Sequence, residues 1–195
     1  MKFGACKPFI AKRTAKGTYT DGFQCGKMME TVVNPQYAEA SLYADNQLAE
    51  YRKKFKYADV TMNTDTLPKE ADSVMFGRTV RETGGSTYNT NDEDNYVGYG
   101  FISEEKIDGE TKHVAVVLFK VKFSDGNNTY KTEGENIEFN TPSVSGKAEA
   151  EDNGDWLDRE PFATVEEAEA YIREKLCMVE AAKSTANAAE STENA

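Results

Sequence analysis

Residues 133–156, EGENIEFNTPSVSGKAEAEDNGDW, contain a change of parity that a regular strand cannot accommodate. Ile137, Phe139 and Thr141 alternate with Glu138 and Asn140, the period of a strand with one buried face. Beyond Pro142 the less polar positions shift to Val144, Gly146, Ala148 and Ala150. A one-residue shift exchanges the two faces of a strand. A bulge is therefore expected at Pro142 and Ser143, where a residue without an N–H is tolerated. The small residues at 145, 146, 148 and 150 leave a thin face that another backbone can approach. The strand, expected over 137–151, ends in the turn Asp152-Asn153-Gly154-Asp155, with the sole tryptophan directly behind it. A long bent strand with an acidic rim suits a surface or an assembly better than a catalytic cleft.

The 195 residues are enough for one β-rich domain with a full core, or at most two small ones. A formal charge of -11 argues against a general nucleic-acid binder, which needs a basic surface. No run approaches the ~18 apolar residues that span a membrane, and no apolar stretch follows Lys2, so neither a membrane anchor nor a secretory signal is expected. Cys6, Cys25 and Cys177 are odd in number and lack metal-site spacing, which predicts free thiols in a reducing compartment.

Residues 1–13 are basic and are expected to form a mobile arm with a short strand near 6–11, ahead of a β domain over 14–180. Residues 23–34 are β-compatible up to Asn34 and Pro35. A strand is expected over 38–46, running into an Asp-Asn turn, with its return over 51–63. Arg52, Lys53, Lys54 and Lys56 in that return read as a solvated face. Residues 68–77 predict a short helix with Pro68 in its first turn and Gly77 as its stop; Val74, Met75 and Arg78 can cover a core. Residues 83–95 read as a loop. The hairpin of 96–102 and 113–123, turning through Asp108 and Gly109, is the clearest element. Within it, residues 114–119 are apolar without a break and should be covered on both faces. Residues 124–134 read as a second loop. Thr164 and Glu167 have capping-box spacing and open a helix with Val165, Ala168, Tyr171, Ile172 and Leu176 in one stripe, which should lie across the sheet or a barrel opening. Residues 181–195 hold no core residue and are expected to be a disordered tail.

No catalytic constellation stands out. His113 opens an apolar strand with no relay partner in the sequence pattern. Glu149, Glu151, Asp152 and Asp155 do not have EF-hand spacing. Gly98-Tyr99-Gly100 lacks a third glycine and lies in a predicted strand, so it does not read as a phosphate loop. No enzyme activity, cofactor or metal is expected.

Several stretches in order resemble one family. They are SLYADNQLAE at 41–50, YVGYGF at 96–101, KVKF at 120–123, TPSVSG at 141–146 and DNGDW at 152–156. Together they resemble the major tail (tail tube) proteins of long-tailed, non-contractile bacteriophages, over roughly residues 5–177. The resemblance implies a mainly β fold, a sandwich or partly closed barrel, with one short and one longer flanking helix. It also implies a virion protein, made in the host cytoplasm, whose hexameric rings stack around a tape-measure protein. Its further partners would be tail terminator and tip proteins, and double-stranded DNA would pass through without specific binding.

An excess of acid fits such a conduit, since a wall that attracted phosphate would hold the DNA. It equally fits simple solubility of a free chain. Strands 96–107 and 137–151 alternate best, which makes Glu104, Glu105, Glu138, Glu149 and Glu151 candidate lumen acids; the alternative is that they face outward. Candidate inter-subunit contacts are Lys7 and Arg13 at the basic end, and Asp45, Asn46, Asp92 and Asp94 in turns and loops. Asn127, Asn128 and Tyr130 in the second loop, and Trp156, complete the set. The main alternative is a monomeric β-sandwich or β-barrel that binds or adheres.

Overall fold

The computed structural model describes residues 1–44, 47–126 and 141–178, apart from the side chains of Ala44 and Leu48. It is mainly β, as expected, and is built round one strand, β8 (Glu110–Ser124). Val114, Val116 and Leu118 face one apolar core, and Ala115 and Val117 face another. That double coverage is why the run carries no polar residue. Along one edge β8 pairs with β7 (Tyr96–Ile107), through a turn in which Asp108 and Gly109 both have positive φ, +50° and +88°. Two strands share its other edge: β9 (Ser143–Ala148) beside Val121 to Ser124, and β10 (Leu157–Phe162) beside His113 to Leu118.

The main sheet has the order β2-β1-β7-β8-β9-β4-β3, with β10 added against β8. Here β1 is Lys2–Ala15, β2 Thr18–Gln24, β3 Met28–Ala44 and β4 Gln47–Thr64. The sheet curls so that Tyr99 on β7, fully buried, donates from its hydroxyl to Thr31 Oγ1 on β3 at 3.0 Å. Helix α1 (Glu70–Val74) sends Ala71 and Val74 into the same interior, followed by Met75 and Phe76, and Gly77 ends it at φ +64°. Arg78 lies between the Phe76 and Tyr88 rings and bonds Asp72. Two short strands, β5 (Thr79–Val80) and β6 (Ser86–Thr87), pair, the second of them inside the segment 83–95 that the sequence reads as loop.

Helix α2 (Val165–Lys175) covers the outer face of β1, β7 and β8. Its capping box is formed: Glu167 N–H donates to Thr164 Oγ1, and Thr164 N–H to the Glu167 carboxylate. Ala168, Ile172 and Leu176 are fully buried at helical spacing. Gly98 and Gly100 make this seating possible, because a Cβ on either would collide with Leu176 or Ile172. The Gly-Tyr-Gly triplet is thus a groove for the helix on one face and an anchor for the curl on the other. Cys177 and Met178 donate to the carbonyls of Glu174 and Arg173, a Schellman ending that sets Cys177 at φ +54°. All three cysteines are free, and burial pushes the Cys25 thiol up to about 12.

Three expectations need correction. The strand expected near 6–11 is present, but the mobile basic arm expected over 1–13 is not: both belong to β1, paired with β7 and, from Phe9, with β2, with Phe9, Ile10 and Ala11 fully buried; their burial outweighs the lysines around them. The strand expected to stop at Asn34 and Pro35 runs on through them, because among the described residues β3 pairs only with β4 and an edge tolerates proline. Of the strand expected over 137–151, the described part is Ser143–Ala148, which stops short of Glu151. Residues 137–140, 127–136 and 179–195 lie outside the described residues, and with them the strand before Pro142, most of the second loop and the expected tail. The resolved parity change is in β8, where Val97 pairs Val121 but Tyr99 pairs Leu118. Beside that irregularity residues 149–156 leave the sheet: Glu149 N–H bonds the Lys120 carbonyl, and Phe119 N–H bonds that of Trp156.

Helix α2 is also tied by charge. Lys7 and Arg173 bond Glu169, while Tyr171 and Lys175 bond Asp158. Burial pushes both carboxyls up, but these bonds outweigh it and hold both below their ordinary values of 4.5 and 3.8. Since the folded-state values are the depressed ones, this contribution is full above the ordinary range and is lost as pH falls through the lower values. Amide-exchange protection of α2 is expected to be flat from neutrality to about pH 4.5 and to fall below that, with β7 protected longer. Cys177→Gly is expected to stabilise the fold by up to ~1 kcal/mol in denaturant unfolding, because glycine enters the left-handed region without the cost of a Cβ.

Candidate assembly surface

β3 and β4 pair from Met28↔Thr64 to Ala44↔Gln47, far beyond the body of the protein. In the lower half the pattern is that of a covered sheet: Ala58, Val60 and Met62 are buried. From Tyr37 outward and back to Lys54 the described side chains are all exposed. Among the described residues nothing covers either face of the two-stranded arm, and it still carries Leu42, Tyr43 and Tyr51 at 60%, 69% and 50% exposure. Its basic run is solvated as expected, with Arg52 bonded to Glu50 and Lys53 to Glu39. A two-stranded ribbon alone is marginal in water, so its root matters. There the register shifts between Gln36 and Tyr37, and Tyr37 meets Phe55 edge-on at 6.0 Å. Phe55 stacks on Trp156 at 4.7 Å and 19°.

Trp156 is positioned by the excursion of residues 149–156. Gly154, at φ +92°, donates to the Glu151 carbonyl, and Glu151 N–H donates to that of Asp155. The Glu151 carboxylate, buried, accepts both Nε and Nη2 of Arg13 at 2.8 and 2.6 Å. A strand from the beginning of the chain thus clamps the turn whose tryptophan supports the arm.

The candidate residues fall in different places. Glu105 and Glu151 are not solvated wall acids: each is buried, Glu105 against Arg159 with Lys2 nearby and Glu151 against Arg13. A carboxylate neutralised in this way presents little field to a passing phosphate. Glu149 is half-buried and bonded to Lys120, which together with Tyr96 lowers its pKa. Glu104 is partly exposed, 3.9 Å from His113, whose Nδ1 is buried without a hydrogen-bond partner among the described residues. Lys7 and Arg13 pair inside the chain with Glu169 and Glu151, and Trp156 packs within it. Asp92 caps the Asn89 N–H, and Asp94 accepts from Ser124. Asp45, Asn46, Asn127, Asn128, Tyr130 and Glu138 lie outside the described residues. The arm's exposed apolar side chains were missed by sequence reasoning. The available signal was a pair of expected strands, 38–46 and 51–63, with no large inward position between Tyr37 and Leu42.

No protein-family model matches the sequence, and no curated protein matches it either. No helix among the described residues is long and apolar enough to cross a membrane.

Replacing Trp156 removes the stacked ring under the arm. Trp156→Ala is expected to cost about 1–3 kcal/mol in denaturant unfolding followed by circular dichroism. Amides of residues 37–43 should lose exchange protection before those of β7 do.

Proposed function

We propose that this chain is a self-assembling structural subunit of a phage tail tube, forming stacked rings that conduct double-stranded DNA. The observation that carries the proposal is the arm. A ribbon whose faces and outer edges are bare among the described residues, and which exposes Leu42, Tyr43 and Tyr51, is poorly suited to a free monomer. The resemblance to tail tube proteins supports the same reading at the same place. Its most specific motifs, 41–50 and 152–156, supply the outer ends of β3 and β4 and the turn behind the arm's root. A third motif supplies β9, which bridges β4 and β8.

The partners of this reading are other copies of the chain, a tape-measure protein, and terminator and tip proteins at the two ends. DNA is cargo and is bound by no specific site. No residue is assigned a catalytic role, and the place of action is the virion tail after assembly in the host cytoplasm.

Sedimentation and negative-stain microscopy of concentrated protein, with and without the tape-measure protein, test the proposal. Rings or tubes are expected, with interfaces above roughly 2,000 Å². A single 21.7 kDa species at every concentration would overturn it and favour a monomeric binding module.

A further inference from the structure

We infer that the outer face of β8, β9 and β4 is the dock for the 152–155 turn of a second copy of the chain, an inference that rests on the self-assembly reading above. Tyr96, Lys122, Lys147 and Asp59 are successive cross-strand partners on β7, β8, β9 and β4. The last three point away from the core, because the residues next to them, Val121, Phe123, Ala148, Ala58 and Val60, are buried. This pairing sets two lysines directly opposite each other, which costs stability in a sheet. The side chains part: the Lys122 ammonium lies over the Tyr96 ring at 5.5 Å and that of Lys147 over the Tyr57 ring at 4.6 Å. Among the described residues neither has a carboxylate at salt-bridge distance; Glu149 is bonded to Lys120, and Asp59 accepts from the Gln36 amide.

Beside these two ammonium groups the sheet surface is a shallow trough of about 530 Å³. Thr61, Ser124, Ser145 and Gly146 line it, so no bulky side chain fills it. Helix α2 covers this side of the sheet at Ala115 and Val117, lower on β8. Two cations held apart on aromatic rings, over small side chains, suit a narrow convex element that carries two anions. Charge of opposite sign on the two partners also steers their encounter.

The turn before β10 is such an element. Asp152, Asn153, Gly154 and Asp155 are all exposed. Asp155 bonds Asn153 within the turn, and among the described residues neither aspartate has a cation at salt-bridge distance. Arg13 is taken up by Glu151, and Lys16, which lines the same hollow as Asp155, is bonded to neither. The turn is held before it binds, since Gly154 donates to the Glu151 carbonyl and Arg13 clamps the Glu151 carboxylate; little ordering entropy is lost on docking. The same bonds keep it from its own dock. It lies against Gly17 and Phe119, and leaving them would break the Arg13–Glu151 pair and the Trp156 stack. Donor and receptor are therefore different surfaces of one molecule. Such head-to-tail contacts close into a ring or run on as a filament and do not stop at a two-fold dimer.

Three full-length variants test the contact by exchanging charge. Lys122→Glu with Lys147→Glu sets acid against acid, and Asp152→Lys with Asp155→Lys sets base against base. Each pair is expected to raise the protein concentration needed for assembly, read by sedimentation, about tenfold or more. The chain with all four substitutions has opposite charges again and is expected to assemble near the wild-type concentration. All four positions lie outside the core, so circular dichroism is expected to be unchanged, and damage to the fold could not produce that recovery. If wild-type chains assemble and the fourfold variant does no better than either double variant, the inference is overturned. It is equally overturned if Lys122→Glu with Lys147→Glu changes the stability of the monomer in denaturant and leaves assembly as it was. The lysines would then serve acids of their own chain, such as Glu133, Glu135 or Glu138 between β8 and β9. If wild-type chains never assemble, the self-assembly reading falls with it.

Discussion

The double burial of β8 is the constraint on which the rest of the structure depends. A strand covered on both faces and paired on both edges has no freedom to slip, since one residue of slip would exchange two complete cores. Its partners are therefore fixed: β7 on one side, β9 and β10 in succession on the other. Where β8 changes parity near Phe119 and Lys120, the opposite strand cannot continue in register. It leaves as residues 149–156 and returns as β10. The turn that supports the arm is thus a consequence of an irregularity in the central strand.

From that turn the support runs outward through a short series of contacts. Arg13 fixes Glu151, the turn fixes Trp156, and Trp156 stacks on Phe55, which meets Tyr37 at the root of the arm. Beyond Tyr37, among the described residues, ladder hydrogen bonds and local pairs are what remain. In such a ribbon the net worth of each backbone bond is small, because water competes for the same groups. A rigid base and a thinly supported tip is the expected design for an element that completes its packing on another surface.

How much of this was legible depended on whether a local pattern agreed with its tertiary setting. The β7–β8 hairpin and α2 were readable because alternation, the Asp-Gly turn, the capping box and the 3.6-residue stripe all pointed the same way. β10 was not, because Leu157-Asp158-Arg159-Glu160-Pro161-Phe162 is charged and contains proline; it is a strand only because β8 has an open edge there. β1 was half legible: its lysines suggested an arm, whereas Phe9, Ile10 and Ala11 decide its place. The strands of β3 and β4 were recognised, but not that they leave the body, since sequence alternation cannot tell a face covered by a core from one that waits for a partner. Of the candidate acids, sequence spacing gave the strand but not the cations beside them, which come from β1, β8 and β10.

Those cations change the electrostatic argument. The chain's formal charge of -11 suggests strand faces lined with bare carboxylates, yet Glu105, Glu149 and Glu151 each hold a lysine or arginine within bonding distance. Paired charges largely cancel at the range of a Debye length, about 8 Å at physiological salt. The uncompensated charge must therefore come from other acids, among them Glu93 in the loop before β7 and Asp152 and Asp155 in the turn before β10, all exposed. In a tube built from this chain, repulsion of DNA would then depend on how loops and turns are presented at the wall. Strand alternation, which the sequence displays most clearly, would fix the wall's position and leave its field to the less regular segments.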